Sequence, residues 1–127
     1  MFILVVDDSK IARQIIVNSV NKYFSERNKI IKIYEAEDGV KALEMLNIFS
    51  IDIMFLDVNM PIMGGEEVLL NVRANPEYNK LKIIMATTEG SKNSVLQMMK
   101  RANGYLVKPV QEKALVATLT KLTARMK

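Results

Sequence analysis

Five short apolar runs punctuate this sequence, and every one of them stops at a polar side chain. They fall at Phe2–Val6, 30–36, 51–56, 82–86 and 105–107. Runs this short, rich in branched side chains, read as strands, and the first is apolar enough to be buried on both faces. Between them the apolar spacing changes to three and four. Ile11, Ile15 and Phe24, with Ala12, Ile16 and Val20, outline an amphipathic helix that Ser9 can cap, followed by a polar loop at 25–28. Val40, Leu43 and Leu46 mark a short helix after Asp38-Gly39. A loop with Pro61, Gly64 and Gly65 leads into Val68, Leu69 and Val72. Their helix must stop before Asn75-Pro76, because the residue ahead of a proline disfavours helical geometry. Val95, Met98 and Met99 mark a fourth helix, and Leu115, Leu119 and Leu122 the last.

Five β–α alternations without a linker, repeat or low-complexity stretch predict one α/β domain over residues 1–127, with a parallel sheet covered on both faces. A closed barrel of this kind needs about 250 residues, so right-handed crossovers favour a doubly wound open sheet. Ligands of such sheets sit beyond the carboxyl ends of the strands.

Composition narrows the chemistry. The chain has no cysteine and no histidine. That excludes disulfides, thiolate zinc sites, imidazole ligands and every nucleophile that depends on cysteine or a histidine base. No run reaches the roughly 18 apolar residues of a membrane span, and Asp7 and Asp8 interrupt the only leader-like stretch, so a cytoplasmic protein without membrane contact is expected. A chain opening at Met1 and closing about a turn after its last apolar helix position is expected to carry no DNA-binding domain. The net charge of +4 is unevenly spread: residues 90–127 carry eight basic groups against Glu112 alone. Such a surface is either a solvated face or a dock for an acidic partner. It lacks the interleaved aromatics of a nucleic-acid interface.

What ends each strand then becomes informative. Asp7 and Asp8 follow the first, Asp57 the third, Thr87 the fourth and Lys108 the fifth. In a parallel sheet these ends share one edge, so three carboxylates, a hydroxyl and an ammonium should converge. Singly, each has an ordinary explanation as a cap or a turn; together they are hard to explain as packing. Three aspartates repel and raise one another's pKa unless a cation sits among them. Oxygen ligands without nitrogen or sulfur suit Mg²⁺ or Mn²⁺. A carboxylate in such a site can accept a phosphoryl group as an acyl phosphate, with Lys108 and Thr87 placed to stabilise its charge. Asp57, on the central strand, is the natural acceptor. Nucleotide-binding glycine loops are absent. Asn59 stands where a phosphatase of the two-aspartate type would carry its general acid/base, which disfavours a dedicated hydrolase.

These residues resemble the receiver domains of bacterial two-component response regulators, most of all the stand-alone chemotaxis regulators. The resemblance runs nearly end to end through Leu4-Val5-Val6-Asp7-Asp8-Ser9, Glu35-Ala36-Glu37-Asp38-Gly39, Asp57-Val58-Asn59-Met60-Pro61 with Gly64, Thr87, and Tyr105-Leu106-Val107-Lys108-Pro109. It implies a flavodoxin-like sheet of order 2-1-3-4-5 with five helices. It also implies Asp57 as phosphoacceptor, with Asp7, Asp8, Asp57 and the Asn59 backbone carbonyl holding Mg²⁺. Lys108 would pair with the phosphorylated carboxylate, Thr87 would bond a phosphoryl oxygen, and Tyr105 would be the switch aromatic. Asn59, Thr88 and Glu89 would flank the mouth and tune acyl-phosphate lifetime.

By the same resemblance a histidine kinase is the donor, and a target protein, with a flagellar switch protein foremost, docks on the basic C-terminal third. The chain would not be a turnover enzyme, although it would assist its own phosphorylation and dephosphorylation. A phosphorelay carrier, and then a magnesium-dependent phosphatase, are the alternatives. The sequence departs from the family at Arg101, where a glycine usually ends the fourth helix. It is also longer around 25–28 and slightly short between Thr87 and Lys108.

Overall fold

The computed structural model describes residues 1–88 and 92–126; Glu89 lies outside the described residues. Its elements run β1 Phe2–Val6, α1 Lys10–Glu26, β2 Lys32–Ala36, α2 Gly39–Ile48, β3 Ile53–Asp57, α3 Gly65–Arg73, a 3₁₀ turn Pro76–Tyr78, β4 Lys82–Thr87, α4 Lys92–Met99, β5 Gly104–Val107 and α5 Glu112–Ala124. The five strands form one parallel sheet in the order β2-β1-β3-β4-β5. This is the doubly wound architecture and strand order expected.

Alternation along the strands makes the two layers. Leu4, Val6, Met54, Leu56, Ile83 and Met85 face α2, α3 and α4, where Ala42, Leu46, Val68, Leu69, Val72 and Met98 meet them. Ile3, Val5, Ile53, Phe55, Ile84 and Leu106 point the other way, against Ile16, Val20, Tyr23 and Phe24 of α1 and Leu115, Leu119 and Leu122 of α5. No helix among the described residues is long and apolar enough to cross a membrane.

Local structure departs from the sequence expectations in instructive places. Helix α1 does not stop before 25: burial of Phe24 carries it through Ser25 to Glu26, and the amides of Arg27 and Asn28 close it onto the carbonyls of Phe24 and Ser25 respectively. Its buried stripe is Ile16, Val20, Tyr23 and Phe24, while Ile11 and Ile15 turn outward. Val40 is likewise exposed, and α2 buries Gly39, Ala42 and Leu46. Strand β2 starts only at Lys32, leaving Ile30 in solvent, because pairing with β1 begins at Phe2↔Lys32. Strand β3 covers Ile53–Asp57 rather than 51–56, so Asp57 is its last residue. Strand β5 begins one residue early, at Gly104, and Phe2 leaves β1 half-exposed at its start.

Other expectations hold. Ser9 caps α1 through Ala12 N, and a helix does follow Asp38, which the structure further shows capping it through Lys41 N. Helix α3 ends before Asn75-Pro76. Beyond α4, Arg101 needs no left-handed backbone: its amide and that of Ala102 both donate to the Met98 carbonyl, and Asn103 N donates to Ile83 O. The Arg73 guanidinium locks this turn, donating to the carbonyls of Arg101, Tyr78 and Leu81 and to Asn103 Oδ1.

Candidate functional site

Register places the polar strand ends side by side. Val6 pairs with Leu56, Asp57 with Ala86, and Thr87 with Val107, so the residues after β1 and β5 and the last residues of β3 and β4 share the carboxyl edge. The Asp7 amide donates to Ala36 O, one step beyond the last β1–β2 pair, and the Lys108 amide donates to Thr87 O at 2.8 Å.

Asp7, Asp57 and Thr87 are the buried polar residues here, exposed by 0%, 2% and 0%. Lys108 Nζ lies 2.7 Å from Asp7 Oδ2 and 3.1 Å from Asp57 Oδ1, so one ammonium bridges two carboxylates. Asp7 Oδ1 accepts from Ser9 N at 2.9 Å, and Asp57 Oδ1 from Asn59 N at 3.2 Å. Asp7 Oδ2 takes part in its ion pair but in no well-directed hydrogen bond. Asp8, itself exposed, completes a triad: one oxygen from each of Asp7, Asp8 and Asp57 lies within 4.8 Å of the others.

Burial, more than any neighbour, pushes the Asp57 carboxyl up to about 6; the Asp7 charge adds to the rise and the Lys108 ammonium opposes it. For Lys108, burial acts downward, but its close ion pairs with Asp7 and Asp57 outweigh it and hold the ammonium above the usual lysine range. One lysine paired with two of three clustered carboxylates leaves a negative excess in a partly desolvated site. Hard oxygen donors, net negative charge and an underused buried oxygen on Asp7 together fit Mg²⁺.

Glycine 65 lets this edge close up. A Cβ there would run into the Asp57 carbonyl and lie 2.9 Å from Val58 Cα, so α3 can begin against the Asp57 backbone only because position 65 lacks one. The intervening loop holds Ile62 at φ 70°, a left-handed conformation unusual for a branched side chain, with the side chain 94% exposed.

A comparison with known families finds the response regulator receiver domain over residues 3–120. The chain belongs to the response regulator receiver family. Among curated relatives of this receiver domain, the chemotaxis protein CheY homolog of Campylobacter jejuni is 40% identical over 111 residues, covering 86% of this chain and 82% of that protein. The Vibrio cholerae chemotaxis protein CheY-3 is 34% identical over 127 residues, covering 99% and 94%. A crystal structure of Vibrio cholerae CheY4 superposes with a TM-score of 0.81 at 32% identity, over 94% of this chain and 96% of that one.

Of the residues singled out from the sequence, the receiver fold brings Asp7, Asp57 and Lys108 into contact, keeps an Asp8 oxygen within 4.8 Å of the other two carboxylates, and sets Thr87 at the neighbouring strand end. Asn59 and Thr88 meet at the mouth, Asn59 Nδ2 donating to Thr88 Oγ1 at 3.3 Å. Tyr105 stands apart on the edge strand, 40% exposed. Sequence reading missed Arg13, which donates through Nη1 to the Asp7 carbonyl at 2.7 Å and through Nε to Glu35 at 3.0 Å. A cation on the polar side of an amphipathic helix gives no signal that separates it from a solvated one.

Proposed function

We propose that this receiver domain is a phosphorylation-activated switch of two-component signalling, working in chemotaxis, with Asp57 as its phosphoacceptor. The observation that carries the reading is the Lys108 ammonium shared between buried Asp7 and Asp57 inside a three-carboxylate cluster. Asp7, Asp8, Asp57 and the Asn59 backbone carbonyl would hold Mg²⁺, or Mn²⁺ in its place. Bound there, the ion would neutralise charge on the phosphoryl oxygens.

The chain's own groups account for the rest. An Asp57 carboxylate oxygen attacks phosphorus as the phosphorus–nitrogen bond of a kinase phosphohistidine breaks, its electron pair remaining on the imidazole. Lys108 already faces that oxygen at 3.1 Å and follows the new charge with little reorganisation. Thr87 bonds a phosphoryl oxygen, and Tyr105, now half in solvent, moves inward as the β4 end is drawn toward the phosphate. Asn59 and Thr88 at the mouth govern access of the water that ends the signal. The chain is a phosphoacceptor, with Asn59 in place of the acid/base a phosphatase would need.

The gain of about −1.5 to −2 charges and three acceptor oxygens at Asp57 biases the ends of β4 and β5. The readout surface is the basic C-terminal third, which suits an acidic segment of a target protein; the chemotaxis relatives favour a flagellar switch protein. Incubation with acetyl phosphate and Mg²⁺ should add one phosphoryl group to the wild type and none to Asp57→Asn. Labelling elsewhere, or repeated turnover of a phosphomonoester, would overturn the assignment.

A further inference from the structure

Each polar atom of Asp7 is held by a different part of the chain. Its amide donates to Ala36 O of β2, Oδ1 accepts from Ser9 N at the start of α1, and Oδ2 faces Lys108 after β5. Its carbonyl lies one residue past the last β1–β2 pair, Val6↔Ala36, and Arg13 Nη1 fills that position at 2.7 Å. The guanidinium is anchored in turn by Glu35 on β2 at 3.0 Å, and the Arg13 side chain is only 14% exposed against 44% for Glu35. The fork therefore ties α1 to β2 across the end of β1. Glu35 offsets its charge, so the fork can hold the Asp7 peptide without repelling a cation from the aspartates.

We propose that Arg13 is a positioning residue for cation binding: it fixes the Asp7 peptide so that the Asp7 carboxylate keeps an oxygen turned toward Asp8 and Asp57. The proposal rests on the reading of that triad as a Mg²⁺ site. Magnesium accepts only near-ideal octahedral geometry at about 2.0–2.1 Å, so a ligand whose backbone can rock loses affinity steeply. Partners that orient ligands from behind typically contribute about 10–100-fold in metal affinity. Lysine keeps the charge at position 13 but has a single point of donation and cannot span Asp7 and Glu35 together.

The test is a Mg²⁺ titration of the full chain, followed by amide NMR shifts and calorimetry, for wild type, Arg13→Ala, Arg13→Lys and Glu35→Ala. Thermal unfolding in EDTA runs alongside. Both Arg13 variants should bind Mg²⁺ about tenfold more weakly, and Glu35→Ala a few-fold more weakly. Should Arg13→Ala fail to fold, Arg13→Lys and Glu35→Ala carry the test. Arg13→Lys binding like wild type, or Arg13→Ala binding more tightly, would mean that only charge matters and would overturn the proposal. Lowered melting temperatures with an unchanged Mg²⁺ constant would reduce Arg13 to a structural role and overturn it too. A wild-type chain that binds no Mg²⁺ would remove the site reading itself, and the proposal with it.

Discussion

Replacing Asp57 by Asn should stabilise the metal-free protein, although it deletes an ion pair. The Asp57 carboxyl titrates at about 6 in the folded chain against 3.8 for an unperturbed aspartate, and that rise already includes the attraction of Lys108. Asparagine has the shape of the protonated acid and keeps an oxygen to accept from Asn59 N. At pH 7 and above, ionised Asp57 therefore costs about 3 kcal/mol relative to a neutral isostere. Because the folded pKa is the higher one, the folded state binds more protons between the two values, and stability falls as pH rises through that window. The advantage of the variant should fall to about half at pH 5 and to a small fraction at pH 4. Urea unfolding in EDTA from pH 4 to pH 8 measures this directly. Millimolar Mg²⁺ should close most of the gap at pH 7.5 by stabilising the ionised wild type. A variant less stable than wild type in EDTA at pH 8, or a difference that ignores pH, would refute the reasoning.

Three further substitutions test the surrounding framework. Ile62→Gly should stabilise by about 1 kcal/mol, since it removes the left-handed penalty of a branched residue whose side chain packs on almost nothing; urea midpoints at constant slope would show it. Gly65→Ala should cost about 1–3 kcal/mol and slow labelling by acetyl phosphate, because the added methyl must push α3 off the Asp57 carbonyl. Arg73→Ala should cost about 2–4 kcal/mol, because it strips donors from three carbonyls and Asn103 Oδ1 at once. Hydrogen exchange in that variant should quicken first in the turn between α4 and β5.

The sheet and the pocket were legible in the sequence for one reason. Short apolar runs ending at Asp7, Asp57, Thr87 and Lys108 leave few arrangements other than parallel strands, and parallel strands bring their ends together whatever their separation along the chain. Helix faces were less legible. In α1 the apolar residues cover so wide an arc that Ile11, Ile15 and Ile16 look alike on paper, and only the seat of Phe24 and Tyr23 against α5 chooses Ile16. Strand ends such as Lys32 are set by the partner's first residue, which local sequence does not encode. The contribution of Arg13 was hidden because it acts on a backbone carbonyl, a partner with no sequence identity of its own. Arg101 was misleading for a related reason: the turn after α4 is held from outside by Arg73 and Asn103, so it does not require the glycine its own backbone would otherwise use.

These magnitudes also bound what phosphorylation alone can achieve under the proposed switch. Among the described residues, the exposed hydrogen bond from Asn59 to Thr88, worth about 0.5–1.5 kcal/mol, is part of what closes the resting mouth, and Tyr105 is half-exposed. A phosphoryl group that strengthens the Lys108 contact and adds a Thr87 hydrogen bond supplies about 2–4.5 kcal/mol of differential interaction. Moving a population from 1:99 to 99:1 requires about 5.5 kcal/mol. From a resting balance near 1:99, the phosphoryl group is therefore sufficient to make the active arrangement common and insufficient to make it exclusive, and the remainder must come from the target that binds it. A basic readout surface meets that requirement, since an acidic partner adds its own differential contacts only after the ends of β4 and β5 have moved.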